Sequence, residues 1–131
     1  MNLVFKLAVS TEMQVHIVIY KAAELMKQTT KDQVKIAKLK TAISELGQNI
    51  IKYAKEGTIS VFEINNPKKG IKVIVADKGP GILDLEEALS DNFSTSGTLG
   101  LGLPGVRRMV DGFSIKSEVG VGTEVSISIF Y

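Results

Sequence analysis

Cysteine is absent from the 131-residue chain. Its absence excludes disulfides, a thiolate nucleophile and every metal site built on sulfur, and makes the fold indifferent to redox compartment. Histidine occurs once, at His16, which argues against an imidazole-based metal site; a lone histidine in an apolar helix is expected to be a packed structural residue. Charge of one sign is also scarce. Sixteen basic and fourteen acidic residues leave a net charge of +2, too little for the field of a nucleic-acid groove or for attraction to an anionic membrane. No apolar run approaches the roughly 18 residues needed to cross a bilayer. The opening MNLVFKLAVSTEMQ lacks the basic segment and long apolar stretch of a signal peptide, so a cytoplasmic protein is expected. What is present, 44% hydrophobic and 23% charged residues, suits one domain spanning residues 1–131 with its own core.

Hydropathy patterning divides the chain into elements. Leu3–Val9 alternates around Lys6 and predicts a first strand, stopped by a Ser10-Thr11 pair able to cap a helix from about Glu12 to Lys27. That helix spaces Met13, Ile17, Tyr20 and Leu25 as the stripe expected to face the core. Gln33–Lys55 contains no proline, sets Ala42, Leu46 and Ile50 four residues apart and ends near Gly57, predicting a second long helix. Thr58–Ile64 and Ile71–Ala76 flank the turn signal Asn66-Pro67-Lys68-Lys69-Gly70 as a hairpin. A glycine-dense segment follows from Asp77 to Gly105, with a short helical candidate at Leu83–Leu89; a loop region this long is usually functional. Gly102–Val110 can form a helix with Pro104 in its first turn. Phe113–Glu118 and Thr123–Phe130 alternate as a closing hairpin. This order predicts an α+β two-layer sandwich, a mixed, mostly antiparallel β-sheet with helices on one face.

Three constellations stand out. On the second helix Glu45 and Asn49 lie four residues apart and Lys52 three further on, so all project from one face. A solvated polar stripe would explain them, but a neutral amide stands where a helix-stabilising cation would pair with Glu45, and an amide suits a metal ligand or hydrogen-bond partner. Asp77-Lys78-Gly79-Pro80-Gly81 places an acid at the end of an apolar strand, followed by glycines that let backbone approach a flat ligand; the same residues also make a tight turn. Thr95-Ser96-Gly97-Thr98-Leu99-Gly100-Leu101-Gly102 runs into a helix start, where exposed amides and the helix dipole favour an anion. Gly100, Gly102 and Gly105 imitate a dinucleotide fingerprint, but the polar stretch from Asp91 to Thr98 is not the apolar strand that fingerprint requires, and no P-loop motif exists.

In this order E-x-x-x-N, D-x-G-x-G and G-x-G resemble the Bergerat ATP-binding fold of the GHKL superfamily, shared by gyrase, Hsp90-type chaperones, sensor histidine kinases and MutL. The blocks AISELGQNI, DKGPGI, FSTSG, GLPGVRRMVDGFSIKS and VGVGTE resemble more closely those of the RsbT-type serine/threonine kinases of the stressosome, relatives of the anti-sigma factor kinases. The resemblance implies ATP and Mg²⁺. It implies Glu45 as catalytic base, Asn49 as ligand of the metal, and Asp77 as acceptor of the adenine amino group. Gly79, Gly81 and Thr123 would complete the base pocket. Thr95, Ser96, Gly97, Gly100, Leu101 and Gly102 would cradle the phosphates, with Lys52 or Tyr53 near the sugar or phosphate end. Residues 82–101 would form a lid with Ser94, Thr95 and Ser96 hinging or capping it; Thr98 stands where that family's loop has glycine. The implied substrate is a STAS-domain protein and the implied second partner a PP2C-type phosphatase regulator, with a homodimer as one assembly. Arg107 and Arg108 are either surface charges or partner contacts. An anti-sigma factor of the same fold and a nucleotide sensor without catalysis are the competing functions.

Overall fold

The computed structural model describes residues 1–90 and 102–131. Strand β1 (Asn2–Val9) leads into helix α1 (Glu12–Lys27) and helix α2 (Gln33–Asn49), which runs on as a π-helical turn over Ile50–Ala54. The hairpin β2 (Gly57–Ile64) and β3 (Gly70–Asp77), the short α3 (Leu85–Ala88), α4 (Gly102–Met109), β4 (Gly112–Glu118) and β5 (Gly122–Phe130) complete the order. The five strands form one sheet in the order β1-β2-β3-β5-β4, antiparallel at every pairing. Helices cover one face, as the two-layer α+β expectation requires. Among the described residues, no helix is long and apolar enough to cross a membrane.

Local chemistry sets the helix starts. Thr11 caps α1: its hydroxyl accepts the Gln14 N–H at 3.3 Å while Gln14 Oε1 accepts the Thr11 N–H at 3.2 Å, a reciprocal capping box. Asp32 Oδ1 accepts the Val34 and Lys35 N–H groups at 3.0 and 3.2 Å and so opens α2. The core lies between sheet and helices, with alternate strand residues in cross-strand rows: Ile59 opposite Val75 and Val75 opposite Val125, then Val61, Val73 and Ile127. Leu39, Ile43, Leu46 and Ile50 of α2 close over them.

Two expectations are corrected. The core face of α1 is Val15, Val18, Ala22, Ala23 and Met26, whereas Met13 and Tyr20 are 68% and 67% exposed and Ile17 is 41% exposed. His16 lies on the exposed side as well and is not packed. The helix is apolar on both flanks, so periodicity finds a stripe without saying which one meets the sheet. Further on, the second helix with its π-helical turn ends at Ala54, within a residue of the expected Lys55 and close to Gly57. The chain turns at Lys55, whose φ of 73° breaks the helix, and Gly57 opens β2, where a Cβ would stand 3.1 Å from Ile50 Cγ2.

Candidate functional site

A cavity of about 850 Å³ opens between α2 with its π-helical turn, the ends of β3 and β5, and the first residues of α4. Its apolar wall is built from Leu46, Ile50, Val75, Ile82, Leu103 and Val125. These residues offer flat contact area without polar demands, as a planar ring needs.

Glu45 and Asn49 sit one turn apart on α2, both half-buried and both lining this cavity. The buried side of α2, through Leu39, Ala42, Ile43 and Leu46, packs on the sheet and thereby aims Glu45 and Asn49 at the opening. Among the described residues, no cation lies within ion-pair distance of Glu45. The π-helical turn that follows advances the chain by a smaller angle per residue than an α-helix, so Tyr53 and Ala54 both come round to the cavity; such turns often mark functional sites. Lys52 also lines the cavity, at its exposed rim, with Nζ 5.2 Å from the centroid of the Tyr53 ring.

Asp77 ends β3, opposite Thr123 on β5. Its Oδ1 accepts the Gly79 N–H at 2.8 Å, which fixes the carboxylate, and Oδ2 has no hydrogen-bond partner among the described residues. Asp77 and its cross-strand neighbour Thr123 both line the cavity. Gly81 lines the cavity with a φ of 77°, and a Cβ there would run into the Glu118 carbonyl, so glycine is required both by conformation and by the close approach of the β4–β5 hairpin. Gly79 behaves differently. It does not line the cavity, and a Cβ there would lie 2.6 Å from Ala54 Cβ, so its small size serves packing against the π-helical turn while its amide holds Asp77.

Of the expected phosphate cradle, Gly102 lines the cavity. Thr95, Ser96, Gly97, Gly100 and Leu101, together with Ser94 and Thr98, lie outside the described residues. Asp84 and Glu87 were not foreseen at the cavity edge. Asp84 also caps α3 by accepting the Glu87 N–H at 3.1 Å, and the Asp84-Leu85-Glu86-Glu87 run was the signal available.

Chemically the arrangement offers an acceptor for an exocyclic amine (Asp77), an apolar wall for a ring, and a carboxylate one helical turn from an amide. The Asn49 amide oxygen suits Mg²⁺, which is commonly held by one or two protein oxygens with phosphate oxygens and waters completing the shell. Among the described residues no group of three His, Asp or Glu side chains forms a cage for a metal.

The model of the histidine kinase-like ATPase domain family matches residues 8–129. The serine/threonine-protein kinase RsbT of Bacillus subtilis (strain 168) is 50% identical over 97 residues, covering 73% of this chain and 71% of that protein. An anti-sigma F factor of Thermoanaerobacter sp. (strain X514) is 33% identical over 98 residues, covering 71% and 68%. Among solved structures, the RsbU and RsbW domains of a Mycobacterium tuberculosis protein match 96% of this chain with a TM-score of 0.66 at 16% identity; the match covers 32% of that longer chain. The catalytic domain of histidine kinase ThkA matches with a TM-score of 0.57 at 18% identity, covering 96% and 95% of the two chains. At such identities these two structures establish the fold.

Proposed function

The chain belongs to the family of histidine kinase-like ATPase domains, and from that premise we propose that it is an ATP- and Mg²⁺-dependent protein serine/threonine kinase of the switch type, acting as one catalytic domain in the cytoplasm. The observation that carries the proposal is the pair Glu45 and Asn49, side by side at the cavity that also presents Asp77. The 50% identity to a serine/threonine-protein kinase supports the same reaction class.

Asp77 takes a hydrogen bond from the adenine amino group through Oδ2, while Leu46, Ile50, Val75 and Val125 cover the ring. Guanine is disfavoured because its carbonyl would face the Asp77 carboxylate. Glu45 accepts the proton of the substrate hydroxyl as the oxygen attacks the γ-phosphorus; the new O–P bond forms as the bond to the β-phosphate oxygen breaks, and ADP leaves with that electron pair. A positioned base of this kind contributes about 10² to 10⁴ in rate. Asn49 would hold Mg²⁺, which when bound would supply neutralisation of phosphate charge. Gly102, with the segment before it, supports the phosphates, and Lys52 and Tyr53 flank the mouth.

The substrate we propose is a Ser or Thr of a STAS-domain protein, and the second partner a PP2C-type phosphatase regulator that the kinase activates once released. In the direct test, Glu45→Ala abolishes transfer from γ-labelled ATP to the STAS protein while nucleotide binding persists; labelling at the native rate would remove Glu45 from the base role. One alternative has specific support, the 33% identity to an anti-sigma F factor. It predicts a stable complex with a sigma factor on co-purification, which a kinase devoted to a STAS protein does not form.

A further inference from the structure

Behind the cavity wall, Ser117 of β4 makes a set of contacts that the roles above leave unused. Its Oγ accepts the Ile82 N–H at 2.7 Å, lies 2.8 Å from Thr123 Oγ1 and lies 3.3 Å from the Gly122 carbonyl oxygen. Ile82 and Thr123 both line the cavity; Ser117 lines none of it. The same hairpin grips the loop a second time, through the Gly120 N–H donating to the Pro80 carbonyl at 2.9 Å.

We infer that Ser117 is a positioning residue of the nucleotide site, holding the Thr123 hydroxyl as a hydrogen-bond donor toward the ring nitrogen beside the adenine amino group and tying that contact to the root of the segment that begins at Ile82. The inference rests on the nucleotide reading of the cavity. A serine hydroxyl has one proton and two lone pairs. One lone pair of Ser117 is taken by the Ile82 amide. When its proton goes to Gly122, Thr123 must donate to Ser117 and shows the cavity only lone pairs. When its proton goes to Thr123 at 2.8 Å, within the usual O–H···O range, only the long 3.3 Å contact is given up and the Thr123 proton is released toward the cavity. Hydroxyls linked in this way polarise one another, which strengthens the outermost donor. An acceptor in the cavity therefore selects the second arrangement at little cost. Adenine presents such an acceptor, its N1, next to the amino group that Asp77 takes, so the register of Asp77 opposite Thr123 matches the edge of that base, directly or across one water.

The test compares ATP with 1-deaza-ATP, in which a C–H replaces N1, by calorimetric titration of the full chain with Mg²⁺. The native protein is expected to prefer ATP by about tenfold, the scale of one hydrogen bond. Ser117→Ala should shrink that preference to about twofold or less, Thr123→Val should remove it, and Ser117→Thr should keep it. A purely structural Ser117 would weaken both ligands equally, so an unchanged ratio in Ser117→Ala overturns the inference, as does a native protein that binds both ligands equally. Should Ser117→Ala fail to fold, Ser117→Cys takes its place in the same comparison, since it keeps the size of the side chain but hydrogen-bonds weakly. Uptake of neither ligand by the folded native protein would instead overturn the nucleotide reading itself.

Discussion

That Glu45 and Asn49 share one face of α2 was legible from spacing alone, because a helix that buries residues 39, 42, 43 and 46 has no choice about where it sends residues one turn apart. What separates the roles proposed for them is chemistry: a carboxylate can take a proton, an amide cannot, and an amide oxygen can bind a hard cation without adding charge. Asn49→Ala should therefore bind ATP with the same affinity whether Mg²⁺ or a chelator is present, whereas the native protein gains at least tenfold from Mg²⁺; titration under both conditions checks this, and an undiminished response to Mg²⁺ would take the metal away from Asn49. Other residues were not legible. Ser117 accepts the N–H of Ile82, 35 positions earlier, where the loop after β3 meets the β4–β5 hairpin, a contact no local pattern announces. At Gly79 the structure adds a packing reason for glycine, the contact with Ala54, which a turn sequence does not announce, since glycine looks the same there whether a ligand or a neighbouring side chain needs the space.

Among the elements, α1 carries the clearest lesson. Its start is written in the Ser10-Thr11 pair, yet of the stripe Met13, Ile17, Tyr20 and Leu25 only Leu25 packs against the core, and the helix is held by Val15, Val18 and Met26. Replacing Met13 or Tyr20 with glutamine should change stability by no more than about 0.5 kcal/mol, while Met26→Ala should cost about 2 to 5 kcal/mol through the cavity it leaves. Urea denaturation of the three variants settles the assignment, and a reversed ranking would place the other face inside. The α1–α2 contact explains Gly47 too: a Cβ there would lie 2.7 Å from Val15 Cγ1, so the two helices approach as closely as they do only with glycine at that position. The π-helical turn at the end of α2 escaped the sequence because Ile50–Ala54 has ordinary helix composition; in the fold its Ala54 packs closely against Gly79.

At the scale of the whole molecule, the strand order places β5 between β3 and β4, which brings Asp77 and Thr123, 46 positions apart in sequence, directly opposite each other. The cavity is therefore a property of the folded sheet, and a ligand that fills it stabilises the fold by mass action. Mg-ATP at a hundred times its Kd should add about 2.7 kcal/mol and raise Tm by several degrees, with GTP at equal concentration giving a smaller shift; a thermal scan without any response to Mg-ATP would count against the pocket as a nucleotide site. The sequence by itself determined the α+β order, the antiparallel hairpins, the helix starts and the Glu45, Asn49 and Asp77 positions, because capping, alternation and helical spacing act over a few residues. Tertiary structure alone decided which flank of α1 is buried, that α2 closes in a π-helical turn, and which hydroxyl stands behind Thr123, because those depend on which surfaces meet when distant segments pack.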